Sequence, residues 1–360
     1  MKKRFTGIAV GMMTLAALLL CSIPAFGSEY KMMISHYTIT DAERSGIAAS
    51  MLYFENMVET RSDGAIDVVV KGNSALGGVK EVTRQTIQGK TVQSSVAYGG
   101  VFAGFFPKYQ LMYAPYLFPD YLSAHSFFDS EYFAKFMEEA RKETGLRHLG
   151  LYDDGGGFVA FTNNKRLIKE PSDMKGLRIR TEGGNAAQLA MIEALGAKAV
   201  PMPWGDLTTA LASGVADGQF NAPYVNAFAK FWEVNEYSSW IKFIFNTAVW
   251  SVSDEWFQSL PEDMQSIILK SAREAVDMAR GINVQQCLLD WEEGKKHFED
   301  TYMVTPAVRE KWKEKLRPAF YDWVTEDFGI EKEYVDEFLS QAEKNNKTVE
   351  KDIINKYGTK

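Results

Sequence analysis

The sequence predicts a two-lobed α/β fold, with hinge strands between the lobes and one long helix spanning both. Three observations carry this. Short β-branched runs alternate with helical patterns from Tyr30 onward, three glycines stand together at Gly155, Gly156 and Gly157, and helical apolar spacing persists from about Glu262 to Glu299. Length agrees: a 27-residue leader leaves about 333 of 360 residues, too many for one compact core.

The leader reads as a signal peptide. Lys2, Lys3 and Arg4 form a basic start, Ile8 to Leu20 is apolar apart from Gly11 and Thr14, and Ala25-Phe26-Gly27 supplies small residues for cleavage after Gly27. A membrane anchor would need about 20 apolar residues, which this run lacks. Lipidation at Cys21 fits less well, because Leu20 stands where a small residue should precede it.

Tyr30–Ser35 is the expected first strand. Ile47, Met51, Phe54 and Val58 then mark one helical face, broken by Ser62-Asp63-Gly64. Ile66–Val70 is β-branched and bounded by Gly72, as a buried parallel strand should be, and strand–helix–strand implies a right-handed crossover. A helix from about Gly78 to Gln88 and a strand at Val92–Ala97 repeat the unit. In open α/β sheets ligands bind beyond the carboxyl ends of strands, so His36, Glu81 and Tyr98 become candidate site residues.

Phe102 to Phe128, aromatic and punctuated by Pro107, Pro115 and Pro119, is expected to pack across the first lobe. A helix at about Ser130–Thr144 and a strand at Arg147–Tyr152 lead to the glycine run, read as a crossing between lobes. Phe158–Thr162, Leu177–Thr181 and Lys198–Met202 read as strands of the second lobe, with Gly196 ending the helix before the last of them. Asp206 is expected to cap a following helix, and Ser259-Leu260-Pro261-Glu262 resembles a capping box opening the long one.

Several function classes are disfavoured. Removing Lys2, Lys3 and Arg4, with no acidic residue lost, takes the formal charge from −7 to −10, and no basic run follows, so nucleic acid is not an expected partner. Cys287 is the one cysteine of the mature chain and reads as a small buried residue on a helix. The glycine run lacks the spacing of a phosphate loop, and the four histidines are scattered, so no catalytic residue, metal ligand or cofactor is assigned. Asp153 and Asp154 sit near the crossing, but neighbours on a strand point opposite ways, which weakens a paired-carboxylate hydrolase.

Arg178 and Arg180 share one face of their strand. Arg178 is read as pairing with a surface carboxylate, whereas Arg180, nearest the carboxyl end, is the candidate anion anchor, since a guanidinium fork matches a carboxylate or sulfonate. Asn221 would add an amide. Phe220, Tyr224 and Trp204 would exclude water or stack on a ligand, with lobe core as the alternative for each.

Four segments in order carry a family likeness: Ser172–Arg180, Gly196-Ala197 leading to Pro201–Trp204, Val215–Asn221, and Leu260–Gln265. The chain resembles the solute-binding proteins of tripartite ATP-independent periplasmic (TRAP) transporters. That resemblance implies a periplasmic-binding-protein architecture and a monomeric periplasmic receptor that closes on a small organic anion and delivers it to TRAP membrane permease subunits. It places the ligand carboxylate on Arg180 and assigns a contact to Asn221. Where many members carry a second basic residue, this chain reads Phe158-Val159-Ala160-Phe161, which disfavours ligands needing two arginine clamps. The expected lobes are 28–152 with about 240–283, and 153–239 with about 284–360, braced by the 262–299 helix. A secreted enzyme acting on a small acid, or a sensing partner of a membrane receptor, are the alternatives.

Overall fold

The computed structural model describes residues 28–357, so the expected signal peptide lies outside the described residues. Strands β1 (Tyr30–Ser35), β2 (Ile66–Lys71), β3 (Ser94–Tyr98) and β4 (Leu146–Phe158) join a later strand in the first sheet. β5 (Ala160–Asn163), β6 (Arg178–Glu182), β7 (Lys198–Met202), β8 (Gly218–Asn221) and β9 (Tyr237–Trp240) belong to the second. β10 (Phe245–Ser253) returns to the first and β11 (Asp300–Met303) to the second. The orders are β2-β1-β3-β10-β4 and β11-β9-β5-β8-β6-β7.

β1 pairs parallel with both β2 and β3. The crossovers are α1 (Gly46–Arg61), capped by the Ser45 hydroxyl accepting from the Ala48 amide, and α2 (Val79–Gln88). Ile47, Met51, Phe54 and Val58 are buried with Met32, Ile34, Val68 and Trp250 in one core, as the helical spacing requires. The chain continues through α3 (Gly99–Ala103), α4 (Tyr121–Phe128) and α5 (Glu131–Thr144). The second sheet carries α6 (Ala186–Ala194), α7 (Leu207–Ala212) and α8 (Pro223–Phe228), and α9 (Asp254–Gln258) precedes α10 (Glu262–Gly294). Then come α11 (Pro306–Asp322), which packs on α6, and α12 (Lys332–Tyr357), which packs on α4.

Two strands link the sheets. β4 and β10 run antiparallel, with Thr247 opposite Asp153 and Phe245 opposite Phe158, so β4 bulges where its partner stays short. The bulge is the glycine run: Gly155, Gly156 and Gly157 all have positive φ, at 58°, 94° and 76°. Beyond it the crossings are tied together, the Trp240 indole donating to the Phe158 carbonyl at 2.9 Å and the Lys242 amide to Val159 at 3.1 Å.

α10 contacts α1, β4 and α8, and its buried residues divide between two cores. Ile268, Ala272, Ala275, Val276 and Ala279 join the first, whereas Cys287 and Trp291 join the second. A helix this long is held by packing at both ends. Midway, the Asn283 amide accepts from Gly46 of α1 and donates to the Asp153 carbonyl of the hinge.

Four expectations change. The aromatic segment belongs to a core that includes Phe161 and Ile179 of the second sheet and Phe338 of α12 as well as Leu146 and Val249, so it spans both sheets rather than covering the first alone. Ser259 opens no capping box: it closes α9, its hydroxyl donating to the Trp256 carbonyl, and Pro261 is the N-cap of α10. Asp206 makes no side-chain cap, because it already has helical backbone angles at the end of the turn Trp204–Asp206 and cannot reach the next amides. The long helix stops at Gly294, not at 299.

Candidate functional site

β6 lies between β7 and β8, and its alternation sends Ile179 into the core while Arg178, Arg180 and Glu182 share the other face. Arg178 is fully engaged: Nη2 and Nε donate to the Asp217 carboxylate at 2.7 and 3.1 Å. Its neighbour is placed quite differently. Arg180 is 4 % exposed, no described carboxylate lies within ion-pairing distance of it, and its one hydrogen bond runs from Nη2 to the Met202 carbonyl at 3.2 Å. Its Nε is buried without a partner. Leaving such a donor unsatisfied is costly, so the geometry is that of a group held ready for something else.

Residues from both sheets gather at the gap beside this guanidinium, with Glu182 and Tyr98 acting on it directly. From the first come Tyr98, ending β3, Tyr37, just after β1, and Asp154, in β4; from the second come Glu182 and Asn185. The Tyr37 hydroxyl donates to Asp154 at 2.5 Å, the Tyr37 and Tyr98 rings meet edge to face at 5.5 Å, and Asn185 Nδ2 donates to Glu182 at 3.1 Å. The two sides are in close apposition: a Cβ added to Gly100 would stand 2.7 Å from Glu182 Oε2 and 3.1 Å from Asn185 Nδ2. The lobes are therefore shut on each other here.

Enclosure shifts every ionisation in the gap against charge. Burial pushes the Arg180 pKa down, offset by attraction to Glu182 and Tyr98. Burial raises Glu182 despite Arg180, and raises Tyr98 to about 12, with Glu182 adding to the effect. Asp154 rises to about 7, through burial first and repulsion from Glu182, against the Tyr37 bond. An unfolded aspartate releases its proton near pH 4. Between about pH 4 and 7 the folded chain thus binds more protons than the unfolded one, so the Asp154 contribution to stability falls as pH rises through that window. Melting temperatures of Asp154→Asn measured across this range should decline less steeply than those of the parent.

The other expected site residues fall in several places. Asn221, at the end of β8, is buried and donates to the Gln219 side chain. Phe220 points the opposite way, packing on Phe161 and Phe243 in the core. Trp204 is 45 % exposed and leans on Phe231. Tyr224 stacks on Phe228 near the hinge, within the field of Asp154 and Arg44. His36 is buried against Gly72 and bonded to Thr38 at 2.9 Å; burial drives its pKa down to about 4. Glu81 has a side chain 61 % exposed, 3.8 Å from Arg84, and takes no part in the Arg180 group. Tyr37, Asp154, Glu182 and Asn185 were not among the expected residues, although strand alternation around Asp153 and Arg180 points to two of them. Asp153, fully buried, turns away to His125, with both oxygens 2.9 Å from the ring.

Among the described residues no group of acidic, histidine or cysteine side chains could hold a metal ion, and no helix is long and apolar enough to cross a membrane. The family model described as bacterial extracellular solute-binding protein, family 7, matches residues 34–327. The C4-dicarboxylate-binding periplasmic protein of Rhodobacter capsulatus is 28% identical over 337 residues, 91% of this chain and 96% of that protein. Among solved structures, a TRAP periplasmic solute-binding protein from Ochrobactrum anthropi superposes with TM-score 0.80 at 26% identity, covering 92% of this chain and 99% of that one. The sugar acid binding protein of Advenella mimigardefordensis, in complex with galactonate, superposes with TM-score 0.79 at 25% identity, covering 89% and 99%. These relatives are binding proteins, which leaves the enzyme alternative without support. On the match across 34–327 and the shared two-lobed fold, the chain belongs to the family 7 bacterial extracellular solute-binding proteins and is a TRAP solute receptor.

Proposed function

We propose that this receptor captures a small organic anion in the periplasm by closing its lobes around the Arg180 guanidinium, and then delivers it to a TRAP-type permease. Export by the 1–27 leader and action as a monomer belong to the same reading. The observation that carries it is a dry guanidinium facing the other lobe with no protein carboxylate paired to it. An acid group there would complete two parallel donors and neutralise a charge that burial disfavours. Relatives named for C4-dicarboxylates and crystallised with galactonate support an acid ligand of this size. The hinge supplies the motion, since ligand contacts to both lobes favour the shut form.

A thermal-shift screen over small carboxylates, sugar acids and sulfonates is the test: a bound acid must raise the melting temperature, and no shift with any of them would reject the reading. Closure has its own test at Gly100. A Cβ there already comes within 2.7 Å of Glu182 Oε2 with the lobes shut, so a phenylalanine would hold them apart. Gly100→Phe should bind at least about tenfold more weakly, corresponding to about 1.4 kcal/mol against closure, with the unliganded melting temperature little changed. Unaltered affinity would show that binding does not need the lobes to meet.

A further inference from the structure

The gap around Arg180 holds more acids than bases. Glu182 acts on Arg180 directly and Asp154 lies across from it in the field of Tyr98 and Glu182; neither acid forms an ion pair among the described residues, and their fixed partners are neutral, the Tyr37 hydroxyl at 2.5 Å and the Asn185 amide at 3.1 Å. Against these two carboxylates stands one guanidinium, 4 % exposed and with Nε unpartnered, which is the independent sign that a ligand enters here. A ligand bearing only negative charge would satisfy Arg180 and leave both acids facing an added like charge in a sheltered space.

We propose that the ligand is amphoteric: an acid group meets Arg180 while a protonated nitrogen on the same small molecule faces Asp154 and Glu182. The inference rests on the Arg180 reading above and narrows its ligand class. Several features suit it. Arg180 and Glu182 stand two residues apart on one face of β6, so a compact ligand that meets the first can also reach the second. Tyr37 and Tyr98, edge to face beside Asp154, offer ring faces that attract a cation. Phe158, Val159, Ala160 and Phe161 are all apolar and buried, so that stretch brings no second cation to a multiply charged anion. Burial raises both acids, and Glu182 adds to the rise at Asp154; a cation bound beside them would pull both back down.

The experiment pairs ligands with charge variants of the whole mature protein. Zwitterions (β-alanine, γ-aminobutyrate, proline, glycine betaine and a cyclic amidine carboxylate) are compared by calorimetry with propionate, butyrate, succinate and galactonate. Each is titrated into the parent and into Asp154→Asn/Glu182→Gln. The proposal expects at least one zwitterion to bind the parent and to lose tenfold or more in the double variant, while the simple acids bind the parent weakly and gain affinity in the variant. It is overturned if no zwitterion binds the parent, or if a nitrogen-free acid binds the parent tightly and gains nothing on neutralisation. A third protein, Arg180→Ala, separates the two levels. A nitrogen-free acid that binds the parent and is lost in Arg180→Ala keeps the anchor and rejects the amphoteric ligand. A zwitterion that binds equally well without Arg180 rejects the anchor, and the proposal with it.

Discussion

Replacing Arg180 with alanine should weaken binding of the acid by about 10- to 150-fold, the equivalent of a sheltered charge-assisted hydrogen-bond pair worth roughly 1.5 to 3 kcal/mol. Arg180→Lys should recover only part of the loss, because an ammonium cannot offer two parallel donors in one plane. Stability should not fall with affinity. A guanidinium with an unpartnered Nε and one bond of 3.2 Å holds no part of the fold together, so Arg180→Met should melt no lower than the parent. Arg178→Ala is the control: that guanidinium is committed to Asp217, and its loss should change ligand affinity by less than about twofold, within the range of substitutions away from a site. Calorimetry on Arg180→Ala, Arg180→Lys and Arg178→Ala, with melting curves for Arg180→Met, separates a ligand anchor from a structural arginine.

The second large effect is at the hinge. Gly156 has φ 94°, and a Cβ there would lie 2.4 Å from Cys287 Cβ and 2.8 Å from its sulfur, atoms fixed in the C-terminal third of α10. Its carbonyl also accepts from the Tyr121 hydroxyl at 2.8 Å, which ties the bulge to α4. Backbone strain of about 1–2 kcal/mol and overpacking of about 1–3 kcal/mol put Gly156→Ala about 2–5 kcal/mol below the parent, read as a lower melting temperature. Cys287→Gly in the same chain should restore part of that loss, because it removes the atom struck while leaving the strain. If Gly156→Ala melts with the parent, the glycine run is not the constrained bulge described here.

Much of this arrangement is legible in the sequence. The apolar spacing of Ile47, Met51, Phe54 and Val58 locates α1, and the short runs at Tyr30 and Lys198 locate β1 and β7 to the residue, because strand alternation and helical periodicity are local properties. The contrast between Arg178 and Arg180 is only half local. Alternation puts both on one face, but what separates them is Asp217, 39 residues later in sequence and beside Arg178 in space. The position of Phe220 follows from the same alternation that sets Asn221 and Gln219 opposite it. Glu81 and Trp204 lie near strand ends by sequence, yet the helix and turn that carry them rotate their side chains toward solvent. Tyr37 and Asn185 are beyond local reasoning, since their role depends on two lobes meeting. The failed capping box at Ser259 shows another limit: a second short helix ends on the serine that the pattern assigned to the start of α10.

The most direct measurement is a crystal structure of the protein with the acid that shifts its melting temperature most. The account predicts the acid oxygens at about 2.7–2.9 Å from Arg180 nitrogens, Nε included, with Tyr98 and Asp154 closing from the other lobe. An acid group bound elsewhere, with Arg180 Nε still bare and Nη2 still on the Met202 carbonyl, would contradict it.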